Sequence, residues 1–187
     1  MFVRVYNQKI EVKKDSLYLG GMHISNLNQI EGLANIPNLK SLNLFNNQIS
    51  LIDGLQRFKN LEKLNLYGNQ IEEIKGLDAL SHLKILFLSS NHISEIKNLQ
   101  SLTKLENLSL EENKIIRISG LTALTNLREL NLYENSITKI EGLRTLKNLK
   151  SLRIGKNPID PKILNSLGGV NDKGYALHPQ NFVKNSR

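Results

Sequence analysis

The amino-acid sequence predicts an α/β fold: a right-handed solenoid with a concave parallel β-sheet and a convex side of short 3₁₀ or α turns. Three observations carry that prediction. The pattern L-x-x-L-x-L-x-x-N-x-I begins at Leu39, Leu61, Leu83, Leu105, Leu127 and Leu149, always 22 residues apart. Within each copy two apolar residues alternate with outward-facing ones, the period of a short strand. An asparagine closes every copy, at Asn47, Asn69, Asn91, Asn113, Asn135 and Asn157. Self-similarity at a fixed period of this length marks a stacked-repeat architecture.

The elements follow in chain order. Residues 1–16 read as an N-terminal hairpin cap, with Val3 and Val5 alternating up to a polar turn at Tyr6–Lys9, then Ile10 and Val12. Such a hairpin is expected to cover the first edge strand, which would otherwise pair with another chain. Residues 17–160 read as seven repeats. The first opens on Leu17-x-Leu19, carries three extra residues around Gly20-Gly21-Met22-His23, and places Ser25 in the asparagine slot.

In a full copy such as Leu64-x-Leu66 both leucines point inward, and strands of successive copies lie parallel roughly 4.8 Å apart. The chain then turns, and a buried turn leaves backbone N–H and C=O groups in need of partners. The asparagine amide has donors and an acceptor, and is expected to serve its own turn and the next. The second half of each unit, as in Ile74-x-Gly76-Leu77-x-x-Leu80, suits a short 3₁₀ or α turn returning along the convex side. Glycine recurs there at Gly32, Gly54, Gly76, Gly120 and Gly142, which implies a positive φ or a crowded position. Asn98 replaces it once, and asparagine tolerates that geometry best. One unit buries too little to stand alone, so neighbouring units must stabilise one another.

Pro158 and Pro161 stop the pattern. Residues 161–187 read as a C-terminal helical cap, with one short helix over Lys162–Leu167, ended by Gly168-Gly169, and a second after His178-Pro179. The whole chain, 1–187, is expected to form a single domain.

The 22-residue unit with Ile71-Glu72-Glu73-Ile74-Lys75-Gly76-Leu77 resembles the intracellular class of leucine-rich-repeat proteins, typified by the leucine-rich regulatory subunit of protein phosphatase 1. The resemblance covers roughly residues 17–160. It implies a protein bound on the concave face, with a phosphatase catalytic subunit as one candidate. Bacterial internalins share the unit length but usually carry proline where this chain has glycine, together with a secretion signal and an appended sandwich domain.

Three columns of residues are expected to face outward from the strands. The first reads Ser41, Lys63, Ile85, Asn107, Glu129, Ser151; the second Asn43, Asn65, Phe87, Ser109, Asn131, Arg153; the third Phe45, Tyr67, Ser89, Glu111, Tyr133, Gly155. Phe45, Tyr67, Ile85 and Phe87 fall on three adjacent strands and should form one apolar patch, the composition of a protein-binding hot spot. Beside it lie the acids Glu106, Glu111, Glu112, Glu129 and Glu134. Beyond them lies a basic zone of Arg144, Lys147, Lys150, Arg153 and Lys156. In the phosphatase-regulator class, aromatic and acidic residues in comparable columns contact the phosphatase, which by resemblance marks Phe45, Tyr67, Phe87, Glu111 and Tyr133.

Composition narrows the function classes. The chain has no cysteine, which excludes disulfides, thiolate metal sites and cysteine nucleophiles. No apolar run is long enough to span a membrane, and the N-terminus lacks the apolar core of a secretion signal, so a cytoplasmic monomer is expected. The net charge of +8 invites nucleic acid, and an RNA-associated scaffold using the basic C-terminal end is the alternative reading. Against it, the strands of that basic zone offer no aromatic for a base to stack on, and the aromatics lie beside carboxylates. His23, His82, His92 and His178 form no catalytic arrangement; His82 and His92 occupy slots held elsewhere by Asn60 or Asn126 and by Gln48 or Gln70. Glu111, Glu112 and Glu134 could form a carboxylate cluster able to hold a cation, but no histidine or acid stands at defined ligand spacing. The sequence thus predicts a non-catalytic scaffold with no cofactor and no metal.

Overall fold

A computed structural model describes residues 1–186. Seven strands form one sheet in sequence order: β3 (Ser16–Tyr18), β4 (Ser41–Asn43), β5 (Lys63–Asn65), β6 (Ile85–Phe87), β7 (Asn107–Ser109), β8 (Glu129–Asn131) and β9 (Ser151–Arg153). Every neighbouring pair is parallel and in repeat register, with Leu42 beside Leu64 and Leu64 beside Leu86. The fold is the predicted solenoid. Its core is aliphatic: Leu42, Leu64, Leu86, Leu108 and Leu152 are fully buried, with Phe58 and Phe182 the only large aromatics among them.

The strands are only three residues long, so side chains must hold the turns that follow. Asn91 shows how. Its Oδ1 accepts from Ile71 N–H at 2.9 Å, and its Nδ2 donates to Leu66 and Leu88 carbonyls at 3.0 Å and to Ser89 O at 3.1 Å. The pattern repeats at Asn69, Asn113, Asn135 and Asn157. Each amide therefore serves its own turn and the preceding repeat, not the next as expected. The Asn side chain starts beyond its own strand, where the neighbour's Leu carbonyl and Ile N–H lie behind it. Ser25 does not join the ladder; it bonds Gln29 Oε1 beside the capping box of the 3₁₀ helix Leu27–Gln29.

The convex glycines are all left-handed, and three of them are also crowded. Gly76, Gly120 and Gly142 have φ of +76, +67 and +70°, and a Cβ at each would fall 2.2 Å from the carbonyl oxygen of Ile52, Ile96 or Ile118. At the exceptional Asn98, φ is +59° and the amide donates to the equivalent Ile74 carbonyl at 2.8 Å. Among the described residues the convex returns tighten into full 3₁₀ helices only at Leu27–Gln29 and Leu33–Asn35. Later repeats make isolated i→i−3 bonds, such as Leu80 N–H to Leu77 O at 3.0 Å.

The two ends close differently. Strands β1 (Phe2–Val5) and β2 (Gln8–Glu11) form the expected hairpin around Tyr6 and Asn7, both left-handed at φ +45 and +68°. It is a separate two-stranded sheet; Lys13, just after it, bridges Ser16 at the start of β3, and Arg4 pairs through its backbone with Glu31. Val3 and Val5 must bury on one face, so the hairpin lies over the open core instead of extending the sheet. At the other end, Pro161–Ser166 (α1) and Pro179–Asn185 (α2) are the two expected helices. The segment between them was not anticipated: Gly174–Ala176 runs antiparallel beside β9, with Ile154 N–H donating to Gly174 O and Ala176 N–H to Leu152 O.

Two stability outcomes follow. Asn91→Ala strips partners from Ile71 N–H and the Leu66 and Leu88 carbonyls, and should cost about 3 kcal/mol in urea denaturation. Ser101 places a buried hydroxyl without a partner in the slot that Ala79 and Ala123 fill elsewhere. Ser101→Ala should therefore stabilise the chain by about 1 kcal/mol, read as a higher urea midpoint at unchanged slope.

Candidate functional site

The sheet directs the three outward columns onto one face, and the structure sorts the predicted residues into those free to touch a partner and those already engaged. Tyr67 is free, at 42% exposure. Phe45 is not: its ring lies against Gly20, where a Cβ would come within 1.8 Å of Phe45 Cε1. It also meets Tyr18 edge-on, with ring centroids 5.5 Å apart and planes at 61°. Tyr18, on β3, is 59% exposed and extends the aromatic band by one strand. Sequence reasoning missed it because the first repeat is irregular; its place after Leu17 was the available signal. Ile85 and Phe87 are half-buried on β6, and Lys63 holds its ammonium 5.6 Å from the Phe87 ring centre.

The acidic and basic zones are not separate. Arg153 reaches across β8 to Glu111, two residues beyond the end of β7, Nη1 to Oε1 at 2.6 Å, with the two side chains 20% and 24% exposed. Its Nε donates to Lys173 O at 2.9 Å, and its guanidinium carbon sits 3.8 Å from the Tyr133 ring centre. Asn131 donates to the other Glu111 oxygen at 2.7 Å. Tyr133 is fixed from below by Gly155 and Gly174, where a Cβ would come within 3.3 and 2.6 Å of its ring. Lys156 pairs with Glu134 at 3.1 Å and Arg128 with Glu106 at 3.5 Å. The Glu134 hydrogen bond, followed by Tyr133, holds the Lys156 ammonium above its ordinary pKa. Arginine and lysine stems long enough to cross one or two strands are what merge the zones; Arg144, Lys147 and Lys150 make no ion pair among the described residues.

Glu111, Glu112 and Glu134 turn to different partners, Glu112 accepting from Ser90 Oγ at 2.6 Å. Among the described residues no group of three or more His, Cys, Asp or Glu is placed to hold a metal. His82 does the work of the asparagines in its slot: its Nδ1 lies 3.1 Å from Lys59 O, as Asn126 Nδ2 donates to Thr103 O at 2.8 Å. Glu129 stays exposed on β8, accepting from Asn107 Nδ2 at 2.5 Å. Between Phe87 and Tyr175 the face dips into a trough of about 190 Å³ lined also by Asn107, Ser109, Glu129, Asn131, Ser151 and Arg153.

Comparison with known proteins adds the following. The family described as "Leucine Rich repeats (2 copies)" matches residues 37–79, 59–101, 81–123 and 125–166. The structure is similar to a leucine-rich-repeat protein of Leptospira interrogans, at TM-score 0.65 and 33% identity, over 75% of this chain and 36% of that one. The chain thus spans little more than a third of that protein. It is similar to internalin C2 of Listeria monocytogenes at TM-score 0.61 and 28% identity, over 78% and 73% of the two chains. Internalin F of the same organism shares the fold at TM-score 0.58 and 24% identity, over 83% and 52%. No curated protein matches the chain. Among the described residues no helix is long and apolar enough to cross a membrane.

The engaged half of the face makes a prediction of its own. Arg153→Met keeps the aliphatic stem but leaves Glu111 without its cation and Lys173 O without its donor. It should cost about 2 kcal/mol. It should also speed amide exchange at Tyr175 and Ala176, because the antiparallel closure loses its clamp.

Proposed function

The chain belongs to the leucine-rich-repeat family, and on that premise we propose that it is a non-catalytic scaffold that docks a partner protein on its concave face. Repeats of this family are generally protein-interaction scaffolds. The observation that carries the reading is the aromatic band: Tyr18 and Tyr67 stand 59% and 42% exposed on either side of the packed Phe45. Folding does not call for exposed rings there, and aromatic anchors with a polar rim are the usual energetic centre of a protein interface. The C-terminal edge of the sheet is paired by Gly174–Ala176, which supports a monomer at that end; at the other end the hairpin plugs the core and does not extend the sheet.

The resemblance to the phosphatase regulator supplies a finer reading, a phosphatase catalytic subunit seated on Phe45, Tyr67, Phe87, Glu111 and Tyr133. Of these, Glu111 and Tyr133 are occupied by Arg153, so a phosphatase would have to displace that contact or dock beside it. The RNA alternative loses Arg153 and Lys156 to acids of their own face and retains Arg144, Lys147 and Lys150.

The test uses affinity capture from source-cell lysate with wild type and a Tyr18→Ala/Tyr67→Ala variant, both checked for folding by circular dichroism. Purified phosphatase 1 catalytic subunit is assayed in parallel by calorimetry. Removing two exposed anchors should weaken the captured interaction at least 30-fold, about 2 kcal/mol. Equal capture by both chains removes the concave-face reading. No heat with the phosphatase removes only the finer one.

A further inference from the structure

The first outward column carries Lys63, Ile85, Asn107 and Glu129 on four consecutive strands, β5 to β8. The two charges that bound it are exposed and, among the described residues, neither makes an ion pair. This sets them apart from their surroundings, where Glu62 pairs with Lys84, Glu106 with Arg128 and Glu111 with Arg153. Three strand spacings put the columns of Lys63 and Glu129 roughly 14 Å apart. A fully extended chain covers that distance in about four residues.

The trough decides which side chain meets Glu129. Small side chains, Ser109 and Ser151, are part of its lining, while Phe87 on β6 and Tyr175 beside β9 mark its two ends in strand order. Arg153, the other charge on its wall, is already neutralised by Glu111, so Glu129 leaves the trough net negative. About 190 Å³ has room for one long side chain and not for a helix about 10 Å across. An aliphatic stem against aromatic edges with its cation at a carboxylate is how Lys and Arg settle in such a place.

Resting on the reading of the concave face as a docking surface, we infer that it binds an extended partner segment that crosses strands β5 to β8. The segment carries an acidic side chain against Lys63 and, about four residues away, a Lys or Arg inserted beside Glu129, with an apolar residue over Ile85. Charge complementarity sets its direction. The acid lies toward the aromatic N-terminal half of the face and the base toward the C-terminal cap.

The experiment pans a displayed library of random 12-residue peptides on the folded full chain. The enriched peptides are then titrated against wild type, Glu129→Lys, Lys63→Glu, the Lys63→Glu/Glu129→Lys double swap, and Tyr67→Ala/Phe87→Ala. Both charged positions are exposed, so these reversals leave the core intact. Expected are peptides with an acid and a base about four positions apart. Each single reversal should weaken them about fivefold or more at 0.15 M salt, less at 1 M. Panning on the double swap should return the opposite polarity. Enriched peptides without this spacing, or insensitive to both reversals, overturn the inference. If those peptides still fail on Tyr67→Ala/Phe87→Ala, the docking face stands without the charge register; if they survive it, both readings fall. A library that yields no binder above the Glu129→Lys control also counts against the segment.

Discussion

The asparagine amide is the contact on which the rest of the structure depends. A strand of three residues makes too few backbone bonds to fix the turn that follows it. Each amide closes that turn from inside and reaches back to the carbonyl and N–H of the preceding repeat. It therefore joins two requirements that are often separate: local turn geometry and attachment of one unit to the next. The arrangement constrains the neighbouring position as well. The residue before each asparagine is left-handed, at Asn46, Gly68, Ser90, Glu112, Glu134 and Lys156, with φ between +50 and +66°. For a non-glycine residue that conformation costs roughly 1–2 kcal/mol. It persists because the turn bonds on either side, satisfied in pairs, outweigh it.

With the interior fixed by leucines at every second position, variation is confined to the outward columns, and small differences there change a residue's role. Phe45 and Tyr133 occupy the same column as Tyr67, yet both are packed down because glycine lies beneath them, Gly20 under Phe45 and Gly155 with Gly174 under Tyr133. Tyr67 remains exposed. The same logic governs the charges. A charge facing an opposite partner on a neighbouring strand is drawn into a pair, and one whose neighbours are Ile85 or Asn107 stays exposed without an ion pair among the described residues, Lys63 beside the Phe87 ring and Glu129 hydrogen-bonded to Asn107.

The repeat, the strand register and the left-handed glycines were legible in the sequence because each is a local demand repeated five to seven times, and both terminal helices because proline opens them and glycine ends the first. What escaped was either singular or long-range. Gly174–Ala176 closes the sheet once, so no period announced it. Arg153 and Glu111 lie 42 residues apart, and their pairing depends on a side chain crossing an intervening strand, which column-by-column reading treats as separate zones. Tyr18 sits in the one repeat whose length differs. The left-handed ladder before each asparagine was concealed by residue choice, since Glu112, Glu134 and Lys156 give none of the composition signal that Asn46 and Gly68 do. Of the candidate site, the aromatic columns were readable, and which rings were already occupied was not.

The closure of the two ends bears on what kind of recognition the molecule suits. An open sheet edge invites pairing through backbone, which is indifferent to side chains and favours aggregation. Here the last strand is paired antiparallel, and at the first repeat the core is plugged by Val3 and Val5 while β3 keeps a three-residue edge bridged, among the described residues, only at Ser16. On the proposed docking reading, recognition would rest on side chains held on a lattice with a spacing of about 4.8 Å, fixed by buried leucines and amides. A surface of that kind is ordered before a partner arrives, so binding does not have to supply the free energy of organising it. Specificity then rests on which lattice points carry rings, which carry charges, and which charges the repeat beside them has left unpaired.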